Sequence, residues 1–472
     1  MRPLEILITA FTLVAALSLP WQHGPATQIA ALIAVLLLVP HVWAEGVHWQ
    51  ILPIYAAALV VVWGSMGRSP AGALVSASAV TLVLAGAASS WALPMFRFPK
   101  PTGKYPVGTR TIYLADPERL ETHEGAPSGN RELAVQLWYP SAVSRGRKAV
   151  YRGWRETELR STYQCVLPTD SIQDAPAAAG LFPVLIFNHA WRGFRNRSTF
   201  LTQELASHGF IIAAISHPYN CAAVELPGHR VVRCESQPDI GAFHAEPHLS
   251  LEKRTEIAGS ELCMQTGDCR FLLDRLSTFH ATPGHPLEGR LDLERVGAFG
   301  HSFGGAVAVE LAREDTRVKA ALELDGVLHG SAAQSGLAKP LMLIDAAQTL
   351  QLQAAGSHPD GGARESEQWW KSIGIAKQST LKRFGGYRVV IDGVTHENFS
   401  DKGFMSPLRR LTGIGVLPQR QAASIIAAYT VAFFRWTLSN EPQPVLSAGA
   451  RPFQEARFEN WFADRGLTCD RR

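Results

Sequence analysis

Apolar residues dominate the first fifth of the chain. From Leu4 to Leu93 the only charged residues are Glu5, Glu45 and Arg68. Four apolar runs divide this stretch: Ile6 to Leu19, Ile29 to Val42, Ile51 to Gly64 and Ala71 to Leu93. With Trp21, Trp43, Trp49 and Trp63 flanking them, each approaches the roughly 20 residues that a bilayer span requires, and tryptophan is the residue that anchors span ends at the interface. The run Ala56 to Val62 is apolar all round, without the polar stripe that a water-soluble bundle presents outward. Glu5 beside the first run, and three further runs after it, argue against a cleaved signal peptide. The expectation is a bundle of about four transmembrane helices with both chain ends on one side. Arg2, Arg97, Lys100 and Lys104 against Arg68 bias that side toward the cytoplasm, without settling which way the rest of the chain faces.

The pattern then changes. Pro94, Pro99, Pro101, Gly103 and Pro106 interrupt any regular element and mark a linker. After it, short apolar or β-branched runs appear at Arg110 to Leu114, Leu133 to Tyr139, Pro183 to Phe187, Phe210 to Ile215, Val296 to Phe299, Ala320 to Leu324, Leu341 to Ile344 and Tyr387 to Ile391. Helical patterns lie between several of them, as at Phe200 to Ala206, ended by Gly209, and at Glu256 to Leu276. This alternation predicts an α/β fold with a mostly parallel sheet covered by helices on both faces. The division expected is a transmembrane region at 1–94, a linker at 95–106 and a catalytic domain at 107–472.

Composition adds bounds. The chain has 472 residues, of which 18% are charged. Its mean hydropathy is near zero, as expected from averaging a membrane part with an ordinary globular one. A net charge of +4 with no basic patch excludes nucleic acid as a partner. All six cysteines follow the apolar region, at 165, 221, 234, 263, 269 and 469, and Cys221 and Cys234 bracket a loop in which they could pair. His244 and His248 have helical spacing, but Pro247 breaks a helix there and no CxxC is present, so neither metal nor cofactor is expected.

The sequence Gly300-His301-Ser302-Phe303-Gly304-Gly305 lies between a predicted strand and a small-residue helix. A G-x-S-x-G element in that context is a nucleophile elbow, whose glycines leave room for a turn that holds the serine in a strained conformation. A serine hydroxyl at neutral pH needs a base, and the base needs a partner to orient it. His396, in the loop after the last predicted strand, is placed to be that base; His189 and His217 also follow strands but precede the elbow. Asp325 and Asp345 each end a predicted strand between elbow and histidine, and spacing alone does not choose between them.

The stretches Phe182 to Trp191 and Glu204 to Ala214, with Gly300 to Ala306 and Leu324-Asp325-Gly326, resemble the plasma-type platelet-activating-factor acetylhydrolase family over about 104–438. That resemblance implies an α/β-hydrolase fold, an acid on the strand directly after the elbow, and a histidine followed closely by Asn-Phe. Asp325, 23 residues after Ser302, and His396-Glu397-Asn398-Phe399 fit it, which favours Asp325. It also places the oxyanion hole on the backbone N–H of Phe303 and on that of Trp191 or Ala190, with Trp191 departing from the smaller residues usual there. The segments Tyr151 to Gly180, Ala222 to Ser250 and the loop Gln348 to Gly374 have no clear counterpart.

The reading is a multi-pass protein of a bacterial inner membrane, a serine esterase that cleaves a short or oxidised acyl ester from a phospholipid or similar lipophilic alcohol. The alternatives are a general carboxylesterase or polyester hydrolase, and a silent hydrolase fold serving as a membrane sensor or scaffold.

Overall fold

The computed structural model describes residues 1–21, 24–66, 72–123, 125–234, 249–355, 364–447 and 449–462. Arg68, His244, Pro247, His248 and Cys469 lie outside them. The chain divides into two compact units.

The first unit comprises Met1–Arg97 together with Val150–Pro168 and Phe404–Thr412, two segments that the sequence division assigned to the catalytic domain. Its helices are α1 (Pro3–Ser18), α2 (Pro25–Leu36), α3 (Leu38–Ala44), α4 (Leu52–Met66) and α5 (Gly72–Ala92). Pro25–Ala44, Trp49–Met66 and Gly72–Ala92 are long and apolar enough to cross a bilayer. Helix α1, at 16 residues, rises only about 24 Å. Small residues make up much of the bundle interior, with Ala15, Ala16, Ala31, Ala57 and Ala79 fully buried beside Leu19, Val61 and Val83. Gly64 and Gly86 let neighbours approach, since a Cβ on either would stand 2.6 Å from Val75 or Ile54. Many larger apolar side chains point outward, among them Leu17, Leu36, Val39, Leu59, Leu74 and Leu84. Part of the expected linker is packed here too, with Phe96 edge-on to Tyr151 and stacked on Phe404.

The second unit is built on an eleven-stranded sheet, ordered β13-β12-β11-β10-β9-β5-β6-β2-β1-β4-β3. Its strands are β1 (Val107–Leu120), β2 (Asn130–Pro140), β3 (Lys148–Val150), β4 (Pro168–Gln173), β5 (Phe182–Asn188), β6 (Ile211–Ser216), β9 (Leu291–His301), β10 (Val318–Leu324), β11 (Leu341–Ala346), β12 (Tyr387–Ile391) and β13 (Ala456–Asn460); β7 (Val224–Leu226) and β8 (Arg230–Val232) form a separate hairpin. Strands β6, β5, β9, β10, β11 and β12 run parallel, and β2 and β13 pair antiparallel at the two flanks of this block. All eight expected strands are present.

Successive residues of a strand face opposite sides, and both sides are apolar. Val184, Ile186 and Ala298 face a core shared with α7 (Leu251–Ala281), α8 (Phe303–Glu314) and α11 (Arg364–Phe384). Leu185 and Phe299 face α12 (Gln419–Ser439), where Gly297 leaves the space that Phe434 fills. Helix α12 is long and apolar enough to span a bilayer, yet it packs on the sheet, which explains its hydropathy. Helix α6 (Thr199–Ser207) packs against it, and residues 102–105 are tied to α6 through Glu204 and Ser207. The loop expected over 348–374 is largely helical: α10 (Ala347–Ala355) precedes α11, with the short α9 (Gly330–Ser335) upstream. The architecture is that of an α/β-hydrolase.

Candidate active site

Parallel pairing brings the carboxyl ends of β5, β9, β10, β11 and β12 to one edge, with Asn188 opposite Gly300, His301 opposite Leu324 and Leu324 opposite Ile344. In open α/β sheets that edge is where ligands bind. Trp191, Ser302, Asp325 and His396 each follow one of these strand ends, while Asp345 lies within β11.

Ser302 joins β9 to α8 with φ 57° and ψ −122°, a conformation that side chains rarely adopt. Its N–H donates to the Leu324 carbonyl at 3.0 Å, and its own carbonyl accepts from Gly305 at 2.9 Å. The glycines are sterically required. A Cβ on Gly300 would stand 2.1 Å from the Gly304 oxygen, and one on Gly304 would stand 2.2 Å from that of Asn188.

Asp325, one residue past β10, also has positive φ (45°), and its N–H donates to Ile344 at 2.7 Å. Its buried carboxylate accepts three hydrogen bonds. The Ala346 N–H donates to Oδ1 at 2.8 Å, and Thr349 Oγ1 and His396 Nδ1 donate to Oδ2 at 2.8 Å each. The His396 side chain is 42% accessible, whereas the carboxylate is sealed. Burial works against protonation of His396, but the hydrogen bond and charge of Asp325, with Glu397 adding, hold the imidazole above its ordinary 6.5.

Asp345 has other work. Its carboxylate is fully buried, with Lys377 Nζ at 2.5 Å and Arg388 Nε at 2.9 Å, and Glu323 lies 2.9 Å from the same ammonium. Desolvation pushes Glu323 up to about 7, against the pull of Lys377. Of the two acids that spacing left open, only Asp325 meets the histidine.

The loop carrying His396 is clamped from below. Asn398 Oδ1 accepts from the N–H groups of Thr395 (2.8 Å) and Gly415 (2.9 Å), while its amide donates to Gln419 at 2.8 Å. This gives the Asn of the His-Glu-Asn-Phe motif its physical task. Two supports escaped the sequence reading. Thr349 stands in the segment expected as a loop, and His301 occupies a variable position of the elbow pattern; its Nε2–H donates to the His396 carbonyl at 3.1 Å. Of the expected oxyanion donors, Phe303 opens α8 and Trp191 follows β5, with the Trp191 ring edge-on to that of Phe303 at 4.5 Å.

Among the described residues, one group that could hold a metal, Glu5, His41 and Glu45, lies in the helical unit. Arg2 already occupies it, with Nε 2.5 Å from Glu5 Oε1 and Nη2 3.5 Å from His41 Nε2.

Residues 93–230 and 284–443 match the family described as platelet-activating factor acetylhydrolase, isoform II. Over 274 residues the chain is 26% identical to the platelet-activating factor acetylhydrolase of Cavia porcellus, a match covering 52% of this chain and 60% of that protein. It is 22% identical over 434 residues to a probable 1-alkyl-2-acetylglycerophosphocholine esterase of Arthroderma benhamiae, covering 82% and 99% respectively. A solved ferulic acid esterase from Streptomyces cinnamoneus superposes with a TM-score of 0.61 at 28% identity, over 77% of this chain and 99% of that one. The chain thus spans about three fifths of the Cavia porcellus protein and nearly all of the other two.

Proposed function

Since the chain belongs to the platelet-activating factor acetylhydrolase isoform II family, we propose that it is a carboxylic ester hydrolase that works as a membrane-anchored serine esterase on a short or oxidised acyl ester of a phospholipid. Ser302 Oγ attacks the ester carbonyl carbon while His396 Nε2 takes the hydroxyl proton. The tetrahedral oxyanion is met by the N–H groups of Phe303 and Trp191, each such donor being worth about 3 kcal/mol of barrier. The C–O bond to the alcohol breaks, and the proton passes from His396 to the leaving oxygen. Water, deprotonated by the same imidazole, then releases the acyl group from Ser302. Asp325 holds the tautomer that presents Nε2 and stabilises the imidazolium. The observation that carries this reading is the 2.8 Å hydrogen bond from His396 Nδ1 to the sealed Asp325 carboxylate, at the sheet edge that carries the strained Ser302.

Membrane residence is supported by the inverted residue distribution of the N-terminal bundle. Alanine and glycine make up much of its interior while Leu36, Leu59, Leu74 and Leu84 are exposed at 56–72%. A bundle in water has the opposite distribution, whereas lipid is a good solvent for those leucines and close backbone approach holds such helices together. A lipid substrate is then reached by diffusion within the bilayer.

A second reading, an esterase without phospholipid preference, is favoured by the likeness to a ferulic acid esterase over nearly its whole length and by the aromatic pair Trp191 and Phe303. Hydrolysis of short-chain and long-chain phosphatidylcholine and of a nitrophenyl ester, by the full chain and by Ser302→Ala, tests both. Short-chain phospholipid turnover that Ser302→Ala abolishes supports the first reading. Nitrophenyl ester turnover alone supports the second, and turnover surviving in Ser302→Ala overturns the serine mechanism.

A further inference from the structure

His189 follows β5 at the same sheet edge and is buried, with 1% of its surface exposed, yet the proposed reaction gives it no step. Its two ring nitrogens have different partners. The backbone N–H of His217 donates to Nε2 at 3.2 Å, so Nε2 carries the lone pair and the ring proton sits on Nδ1. Nδ1–H in turn donates to the Ala190 carbonyl at 2.7 Å. Because the group that sets this tautomer is a main-chain amide, it is present whatever the pH. Burial, aided by the neighbouring His217, pushes the imidazole down to about 3, so the ring stays neutral wherever the enzyme works.

The Ala190 carbonyl accepts a second bond, from Gly193 N–H at 2.7 Å, in a turn too tight for a side chain: a Cβ on Gly193 would stand 2.7 Å from that same oxygen. Two donors on one carbonyl fix the plane of the peptide joining Ala190 to Trp191. That peptide is trans, so its N–H, the one belonging to Trp191, points opposite to the carbonyl and is fixed with it. The start of this loop also abuts the elbow, since the Asn188 and His189 carbonyls lie where a Cβ on Gly304 would be.

His217 is itself held from behind. Its Nδ1 lies 2.9 Å from Asp268 Oδ2 and its Nε2 lies 3.1 Å from Asn188 Oδ1, and Asp268 is paired with Arg131 and Arg119 at 2.8 Å each. The ion pairs therefore fix the end of β6, and the end of β6 fixes the ring of His189.

We propose that His189 is the positioning residue of the oxyanion hole: through the Ala190 carbonyl it aims the Trp191 N–H at the ester oxygen as that oxygen gains charge. The inference rests on Ser302 being the nucleophile. A group with this task acts on the transition state and leaves ground-state binding alone, so its loss appears in kcat and not in KM.

The test uses the full chain in detergent with a nitrophenyl ester, comparing His189→Ala, His189→Asn and Ser302→Ala. The Asn amide nitrogen takes the place of Nδ1 and keeps the donor. A trifluoromethyl ketone, whose adduct carries the oxyanion, reports on the hole separately. The expected result for His189→Ala is a ~10- to 100-fold loss of kcat, KM within ~3-fold, and a parallel loss of ketone affinity. His189→Asn is expected to recover most of both. An unchanged kcat in His189→Ala, a kcat loss without loss of ketone affinity, or an Asn variant no better than the Ala variant overturns the inference. If His189→Ala does not fold, the Asn variant decides alone, and a kcat ~100-fold below that of the unaltered enzyme counts against it. Ser302→Ala separates the two levels: if it is inactive while His189→Ala keeps full kcat, only this inference fails, and if it keeps turnover, both fail.

Discussion

The imidazoles of His301 and His396 lie 4.5 Å apart, centre to centre, and the Nε2–H of His301 donates to the His396 carbonyl at 3.1 Å. The residue before the candidate nucleophile thus props the backbone of the candidate base. Burial, and then the charge that His396 would carry, hold His301 well below its ordinary range, so it remains a neutral donor. Replacing it with Leu removes the donor, and His301→Gln keeps one. We expect His301→Leu to lose about tenfold in kcat, because small misplacements of a catalytic group are costly, and His301→Gln to lose less. Steady-state kinetics of the two variants checks this.

With His396 as the proposed base, the His396–Asp325 pair is expected to set the acid limb of activity. The base works only when neutral, and its folded-state pKa is raised, so the midpoint of the acid limb of kcat/KM is expected above 6.5. Asp325→Asn removes the hydrogen bond and the charge but leaves burial, which lowers the pKa. The limb should therefore move to lower pH while kcat falls by about 10⁴. Stability follows the opposite sign from activity. A raised folded-state pKa makes the pair's contribution complete below 6.5 and lost as pH rises through the folded value. Rate profiles and thermal melts between pH 5 and 9 would show both.

Asp345 sits in a buried set with Lys377, Arg388 and Glu323. Asp345→Ala leaves a buried ammonium short of a partner, and breaking such a pair costs about 3–5 kcal/mol. The expected outcome is a clear fall in melting temperature with the activity of the remaining folded protein largely kept. Asp325→Asn should give the reverse, a folded protein with little turnover. Active-site titration alongside melting would separate the two.

In the helical unit, Gly86 faces Ile54 at a distance that no side chain tolerates, whereas Leu84 points outward. Gly86→Val is expected to part α4 from α5 and cost about 1–3 kcal/mol, while Leu84→Ala should be nearly neutral. Thermal denaturation in detergent distinguishes them. An equal loss in both would mean that the outward face is packed and not solvated by lipid.

The sequence displayed the sheet well because its strands are buried on both faces, which leaves short, dense apolar runs such as Leu341 to Ile344. Strand β1 showed only in part. Asp116, Glu118 and Arg119 carry it beyond Leu114; Arg119 pairs there with Asp116 and with Asp268, a partner far along the chain. Ser302 was legible because steric need dictates glycine around it. The choice between Asp325 and Asp345 was legible only through the family resemblance, since both stand at the ends of apolar runs; what differs in the structure is that a lysine from α11 reaches the Asp345 carboxylate. Thr349 and His189 were unreadable as supports because their work is done through another residue's atoms. The joining of Val150–Pro168 and Phe404–Thr412 to the helical unit had no local signal either, since it rests on contacts such as that of Trp49 with the Arg160 carbonyl.

Ser302 and Asp325 are both non-glycine residues at positive φ, and each is tethered by its own N–H to the tip of the next strand, Leu324 or Ile344. Such conformations cost about 1–3 kcal/mol each and persist only while their surroundings enforce them. The sheet edge therefore behaves as a clamp holding two bent springs, and the springs are two residues of the proposed triad. Fraying of the tips of β10 and β11 would let both relax at once, long before the interior strands part. In such a molecule catalytic competence is a mechanical property of one margin, lost by local melting while the bulk of the fold remains intact.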